Sequence, residues 1–250
     1  MTAPSRVLTA SRTLTAVKGK ALYHDGIDDY VSIPDDPSLD ITNEITVEAL
    51  VKPSFNAYGD RGIVGNIYWN GEQFVGGYGL FGWSVEGSDD HYWYAKVSNQ
   101  AGNNLSAYKD SNLLLLHIWQ HVVMTYDNNF LRLYLNGEQI ADSSGSGYLE
   151  PPSNNNPTVI ARHPYSSYYF NGTIALVRIY ERALSAAEVL YNKEHPYNPI
   201  LHGCVLWLGH DSIDEGAGIW RDKSGYNNDG VVYGATAVEM NKLAGRVLTV

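Results

Sequence analysis

Apolar and polar residues alternate with a period of two along much of this chain. Ile45, Val47, Ala49 and Val51 interleave with Thr46, Glu48 and Leu50. That pattern predicts a strand with one buried face. Tyr30, Val31 and Ile33 read as a shorter strand. It is entered through the turn Asp25-Gly26-Ile27-Asp28-Asp29 and ended by Pro34 and Pro37, which fix φ and offer no N–H to a ladder. Residues 80–85 and 92–97 predict strands around a turn at 86–90, and 130–135 predicts another. The run 113–125, which opens on four leucines, also reads as strand. Asn70-Gly71 and Asn136-Gly137 are two-residue hairpin signals, because both residue types accept positive φ. One stretch departs from the alternation. Ser185 with Glu188 three residues on forms a capping box and predicts a short helix near 185–193. The elements add up to an all-β fold of two antiparallel sheets packed as a sandwich, with one helix.

Composition narrows this picture. At 250 residues the chain is sized for a single all-β domain. The expected division is an N-terminal arm or edge strand over 1–20 and one sandwich over 21–250. Tyrosine is abundant, 19 residues beside 6 Trp and 5 Phe. Such rings suit half-exposed sheet faces, glycan contacts and subunit interfaces. The net charge of −10 comes without any basic stripe, which argues against nucleic-acid partners. No run reaches 18 apolar residues, so membrane insertion by a helix is not expected. Residues 1–20 lack the apolar block of a secretory signal peptide. The single cysteine, Cys204, lies in the apolar run Cys-Val-Leu-Trp-Leu and is expected to be a buried thiol. A chain without disulfides fits a reducing cytosol, and fits equally a particle assembled inside a cell and later released.

Several motifs together carry a resemblance. The stretch Asp25-Gly26-Ile27-Asp28-Asp29-Tyr30-Val31-Ser32-Ile33-Pro34 resembles the opening of laminin-G-like, concanavalin A-type jelly-roll modules. Trp119, His121, Val122, Thr125, Tyr126, Asp127, Leu131, Leu133, Tyr134, Asn136 and Gly137 match the central hairpin of that family. Phe170, Gly172, Ile174 and Val177-Arg178-Ile179-Tyr180 match a later strand, and Ala161 stands where the family usually has glycine. The resemblance implies a concanavalin A-like jelly roll and a module that binds, adheres or assembles. One segment is displaced. Residues 203–242 resemble a phrase that normally precedes such a module, yet here they follow it. They are expected to complete the sandwich either of their own chain or of a neighbouring copy. The displaced order, with the phrase Arg-Val-Leu-Thr at 6–9 and 246–249 and a variant at 12–15, resembles laminin-G-like structural proteins of archaeal viruses. Self-association through the termini is a further expectation, since strand edges invite pairing.

The candidate chemistry is that of binding. Asp28 and Asp29 match positions that supply calcium in relatives, and with Asp25 they form an acidic turn able to offer oxygen ligands. The other reading is a solvated turn, because aspartate is an ordinary turn former. Asp211 to Glu215 and Asp222 to Asp229 could add oxygens if the tail folds beside that turn. Tyr92, Trp93 and Tyr94, and Tyr165, Tyr168 and Tyr169, are the ligand-binding candidates. Sugar rings stack on aromatic faces beside polar groups such as Asn66, Asn70, Asp89, Asp90, Asn103 and Asn104. Half of these rings are expected in the core by strand alternation. His117 and His121 are four apart, a spacing that on a strand does not suit a shared zinc. Glycoside hydrolysis needs two carboxylates across a cleft. Glu44 and Glu48 lie on a sandwich wall, and no E-x-D-x-x-E run occurs. The expected function is therefore a non-enzymatic module that binds a glycan or glycoprotein surface, on a virion or at the extracellular surface. The alternatives are a glycoside hydrolase or its accessory domain, and an architectural coat or filament subunit.

Overall fold

The computed structural model describes residues 19–54, 59–67, 72, 75–84, 91–100, 104–109, 113–151 and 156–240. Several expectations fall outside these residues: the arm before Gly19, the Arg-Val-Leu-Thr phrases, the Asn70-Gly71 hairpin, the 86–90 turn, and the contacts assigned to Asp89, Asp90 and Asn103. Sixteen strands and one helix are described. The first nine strands are β1 (Lys20–Asp25), β2 (Tyr30–Ile33), β3 (Ile45–Pro53), β4 (Gly59–Gly65), β5 (Tyr78–Ser84), β6 (His91–Ser98), β7 (Asn104–Tyr108), β8 (Gln120–Tyr126) and β9 (Phe130–Leu135). They are followed by β10 (Glu138–Ser144), β11 (Thr158–Ile160), β12 (Asn171–Tyr180), α1 (Ala186–Glu194), β13 (Cys204–Asp214), β14 (Ile219–Asp222), β15 (Gly230–Tyr233) and β16 (Thr236–Glu239).

All pairings are antiparallel, and the strands form two packed layers of a jelly roll. One layer runs β10-β9-β8-β3-β12 and the other β7-β6-β5-β4-β11-β2-β15-β14, with β13 turning the corner between them. The free edge of β12 is divided. β1 pairs Asn171 to Ile174, β13 pairs Val177 to Tyr180, and β16 closes the other side of β1. Strands β13, β15 and β16 thus pair with β12, β2 and β1 of the same chain. Trp220 of the tail is fully buried and its Nε1–H donates to the Gly209 carbonyl at 2.8 Å.

The alternation read from sequence places the core. Ile45, Val47, Ala49 and Val51 of β3 face Val31, Ile33, Leu80, Trp93, Ala95 and Val97 across the sandwich. Burying a large aliphatic or aromatic side chain there contributes roughly 1.5–3 kcal/mol. The alternate positions of β3 point outward, beneath α1. There Glu48 meets Arg178 of β12 at 2.8 Å, His121 of β8 at 2.7 Å and Asn192 of α1 at 3.0 Å. Arg178 also donates to the Pro196 carbonyl. Burial alone pushes the Glu48 carboxyl up. The Arg178 charge and the His121 hydrogen bond more than reverse this and hold it well below the usual carboxylate range.

The helix has its capping box at Ser185 and Glu188. Asn136 and Gly137 adopt φ of 52° and 88° and close the β9–β10 hairpin as predicted. The leucine run is a correction. Residues 113–119 form turns, with His117 at φ 62°, and the strand starts only at Gln120. Gln120 explains the break, because its side chain caps the loop through Leu115 N–H and the Leu113 carbonyl. The Cys204 thiol is buried, and that burial raises its pKa to about 12. Among the described residues no helix is long and apolar enough to cross a membrane.

Candidate functional site

The outward face of the second layer is aromatic. In β5, Leu80 points into the core, so Phe81 and Trp83 point out. Register then sets Phe81 beside Tyr94 and Trp83 beside Tyr92 on β6, and Tyr94 beside Tyr108 on β7. Phe81 and Tyr94 stack at 4.8 Å, Trp83 and Tyr92 at 6.5 Å, and Tyr92 and Tyr108 lie 5.8 Å apart. The segment 161–170 folds over one end of this face. His163 stacks on Phe81 at 5.1 Å and meets Tyr165 edge-on at 4.2 Å. The segment starts at Ala161, whose φ of 63° turns the chain where the family usually has glycine.

Polar groups sit among the rings. Asp60 on β4 lies opposite Trp83 in the ladder, and its Oδ2 is 3.2 Å from His163 Nε2. Burial, reinforced by the Asp60 charge, raises the Tyr94 and Tyr165 phenols above their ordinary value. Burial lowers Lys96 to about 8, against the pull of Asp60. Such a surface offers flat rings for a pyranose and acceptors and donors for its hydroxyls.

A second cluster adjoins the acidic turn. Tyr30 on β2 stacks on Tyr233 of β15 at 4.6 Å with planes 9° apart, and Tyr169 lies 6.3 Å from Tyr30. The Arg162 guanidinium covers Tyr30 at 4.5 Å. Gly26, at φ 81°, makes the turn that brings Asp25, Asp28 and Asp29 together, with one oxygen of each within 4.8 Å of the others. Asp29 is buried and accepts from the Asp25 N–H at 2.9 Å. Gly234 of the tail packs so closely that a Cβ there would lie 1.9 Å from Asp29 Oδ1.

The sequence candidates divide accordingly. Tyr92 and Tyr94 lie on the outer face and Tyr165 joins them through His163. Tyr168 lies beneath Arg61 at 5.2 Å, and Tyr169 belongs to the Tyr30 cluster. Trp93 is a correction: it is completely buried in the core, because it alternates with Tyr92 and Tyr94 along β6. Asn66 is also buried, and it accepts from Tyr78 N–H. The second acidic group does not join the first. Asp211 pairs with Lys223, Asp214 and Asp229 with Arg221, and Asp222 accepts from Trp207 N–H. Glu48 is sealed under α1, and Glu44 accepts from Ala183 N–H. His121 binds Glu48, away from His117 in its turn. Asp60, Tyr108, Arg162, His163 and Tyr233 were not singled out from sequence. Tyr30 was read only as part of a strand.

The sequence matches the family model described as the concanavalin A-like lectin/glucanases superfamily, of laminin-G type, over residues 25–190. No curated protein matches it. Among solved structures, a candidate carbohydrate binding protein from Bacteroides ovatus superposes with a TM-score of 0.67 at 22% identity, covering 90% of this chain. This chain spans 61% of that protein's length. The carbohydrate-binding module CBM40 of a Ruminococcus gnavus sialidase, solved with α2,3-sialyllactose, gives 0.53 at 14% identity over 71% of this chain and 98% of its own. A heptameric pentraxin from Limulus polyphemus gives 0.53 at 12% identity over 70% of this chain and 82% of its own. At these identities the likeness is one of fold.

Proposed function

We propose a carbohydrate-binding, non-catalytic role for this chain, which belongs to the concanavalin A-like lectin/glucanases superfamily. The observation that carries the reading is the outward array of Tyr92, Trp83, Tyr94 and Tyr108, flanked by Tyr165, His163 and Asp60. Tyr108 and Tyr165 are exposed and Trp83, Tyr92 and Tyr94 partly so, and rings of this kind match what a saccharide needs from a binding surface. Two solved neighbours described as carbohydrate-binding support the same class of ligand. The carboxylates weighed for hydrolysis, Glu44 and Glu48, are engaged within the fold. A glycan array combined with a reducing-sugar assay tests the reading. Binding without turnover supports it. Turnover that disappears on replacing one carboxylate overturns it.

Calcium at Asp25, Asp28 and Asp29 belongs to the same proposal. Three oxygens within 4.8 Å of one another share a centre about 2.8 Å or less from each, near the roughly 2.3–2.6 Å of calcium–oxygen bonds. A rise in Tm on adding calcium, lost in Asp28→Asn, tests it. Display on an extracellular surface, of a cell or a virion, with adhesion and self-association through the termini, completes the proposal. Light scattering of the intact chain across concentration tests the last point.

A further inference from the structure

Among the described residues no carboxylate pairs with Arg162, and its Nε is shielded from solvent without a hydrogen-bond partner. The other arginines of comparable setting are engaged: Arg132 with Asp127, Arg178 with Glu48, Arg182 with Glu188, and Arg221 with Asp214 and Asp229. The shielded Nε is closed to a ligand oxygen as it is to water, so an incoming acceptor would meet the terminal Nη donors, for which no partner is found among the described residues. The chain has ten more acidic than basic residues, so an arginine lacking a carboxylate here does not reflect a shortage of acids.

The surroundings define the shape of the missing partner. The guanidinium carbon lies 4.5 Å from the centre of the Tyr30 ring, a cation–π contact. Tyr30 is backed by Tyr233 at 4.6 Å and flanked by Tyr169 at 6.3 Å. The backbone bridge between Arg162 and Tyr169 fixes the arginine's place beside this group. The planar guanidinium group can present paired Nη donors to a carboxylate, and the exposed Tyr233 ring beside it suits a pyranose. At physiological salt charges beyond about 8 Å are screened, so the charges that act on the contact are the local cation and the acidic turn beside it.

We propose that Arg162, with Tyr30, Tyr169 and Tyr233, forms a subsite that binds the carboxylate of an acidic sugar. The inference rests on the glycan-binding reading above and adds the class of sugar. Isothermal titration of the full chain at 150 mM NaCl with 3′-sialyllactose, tri-galacturonic acid and neutral lactose tests it. One carboxylated probe is expected to bind at least tenfold more tightly than lactose, and the arm that responds identifies a sialic or a uronic acid. Arg162→Gln is expected to bring that probe within twofold of lactose, and Arg162→Lys to retain part of the preference. A second measurement needs no variant: affinity for the carboxylated probe falls between 50 and 500 mM NaCl while that for lactose does not. Equal binding of acidic and neutral probes, a preference that survives Arg162→Gln in a folded variant, or binding of sulfated lactose alone overturns the subsite and leaves the glycan reading standing. Failure of every saccharide on the array to bind overturns both.

Discussion

His24 makes the stability of this protein depend on pH in a defined window. The residue lies on β1, completely buried, and among the described residues neither ring nitrogen has a hydrogen-bond partner. Burial lowers its pKa from 6.5 to about 3, and the Asp25 charge opposes this only weakly. The folded state therefore keeps the ring neutral where the unfolded chain would protonate it. With a depressed native pKa, the histidine's contribution to stability is fully present above pH 6.5 and is lost as pH falls towards 3. Between pH 7 and pH 5 the unfolded chain gains about 0.7 proton that the native state does not, and integrating over that range removes about 1.9 kcal/mol. The figure hardly changes for any native value below about 4, because the ring is then neutral at pH 5 in either case. His210 is also lowered by burial and acts in the same direction, so the comparison must be made against a His24 variant.

His24→Leu keeps a similar volume and cannot be protonated. Urea unfolding followed by tryptophan fluorescence at pH 7, 6 and 5 gives the free energy of each protein. The stability of wild type relative to the variant should fall by about 1.9 kcal/mol over that range. Depressed carboxylates such as Glu188, held at about 2 by Arg182, act only below roughly pH 4.5. Parallel curves for the two proteins would refute the reasoning, and would mean that water or a polar group reaches the ring.

Other perturbations probe the remaining features. Glu48→Gln keeps the shape of the network under α1 but strands the Arg178 charge, which is fully buried. It should cost about 3–5 kcal/mol in urea unfolding. Tyr92→Ala and Trp93→Ala test the alternation of β6 from opposite sides. The first should weaken a glycan found by the array about tenfold with a small change in Tm, and the second should cost about 3–5 kcal/mol of stability by opening the core. Gly234→Ala puts a methyl group at φ 73° and against Asp29. It should cost about 1–3 kcal/mol and abolish any calcium-induced rise in Tm.

Much of the layer structure was legible because a period of two is a local signal. β2, β3 and β9 can be read off their own residues, and Asn136-Gly137 and Ser185 mark a turn and a helix start by their own chemistry. The leucine run misled for the same reason. Four adjacent leucines look like strand, whereas a side chain from Gln120 supplies the hydrogen bonds of a loop. The acidic turn was legible as a cluster because Gly26 brings its three carboxylates together within five residues. The aromatic face was only half legible. Alternation predicts that one of Tyr92 and Trp93 is buried, and it does not say which, because either phase fills a core. Asp60, His163 and Tyr108 join the face through long-range register, which leaves no trace in their own neighbourhoods.

The tail is where core and site become inseparable. Val205, Leu206, Leu208 and Trp220 fill the main core, while Tyr233 and Gly234 reach the Tyr30 ring and Asp29. β2 lies between β15 and β11, so Tyr30 takes one neighbour from the tail and its covering cation, Arg162, from the segment after β11. The stretch matching the family, 25–190, lacks every one of those tail contacts. Deleting the tail would uncover half of the β12 edge and part of the core together, so lost binding in such a truncation would say nothing about ligand contact. Substitutions at Tyr233 and Gly234 are the discriminating ones, because both residues touch the site at the end of a strand whose pairing with β2 can survive them. A Tyr233→Ala protein that keeps its Tm and loses the acidic-sugar preference places the tail in recognition itself, and one that keeps both removes Tyr233 from the subsite.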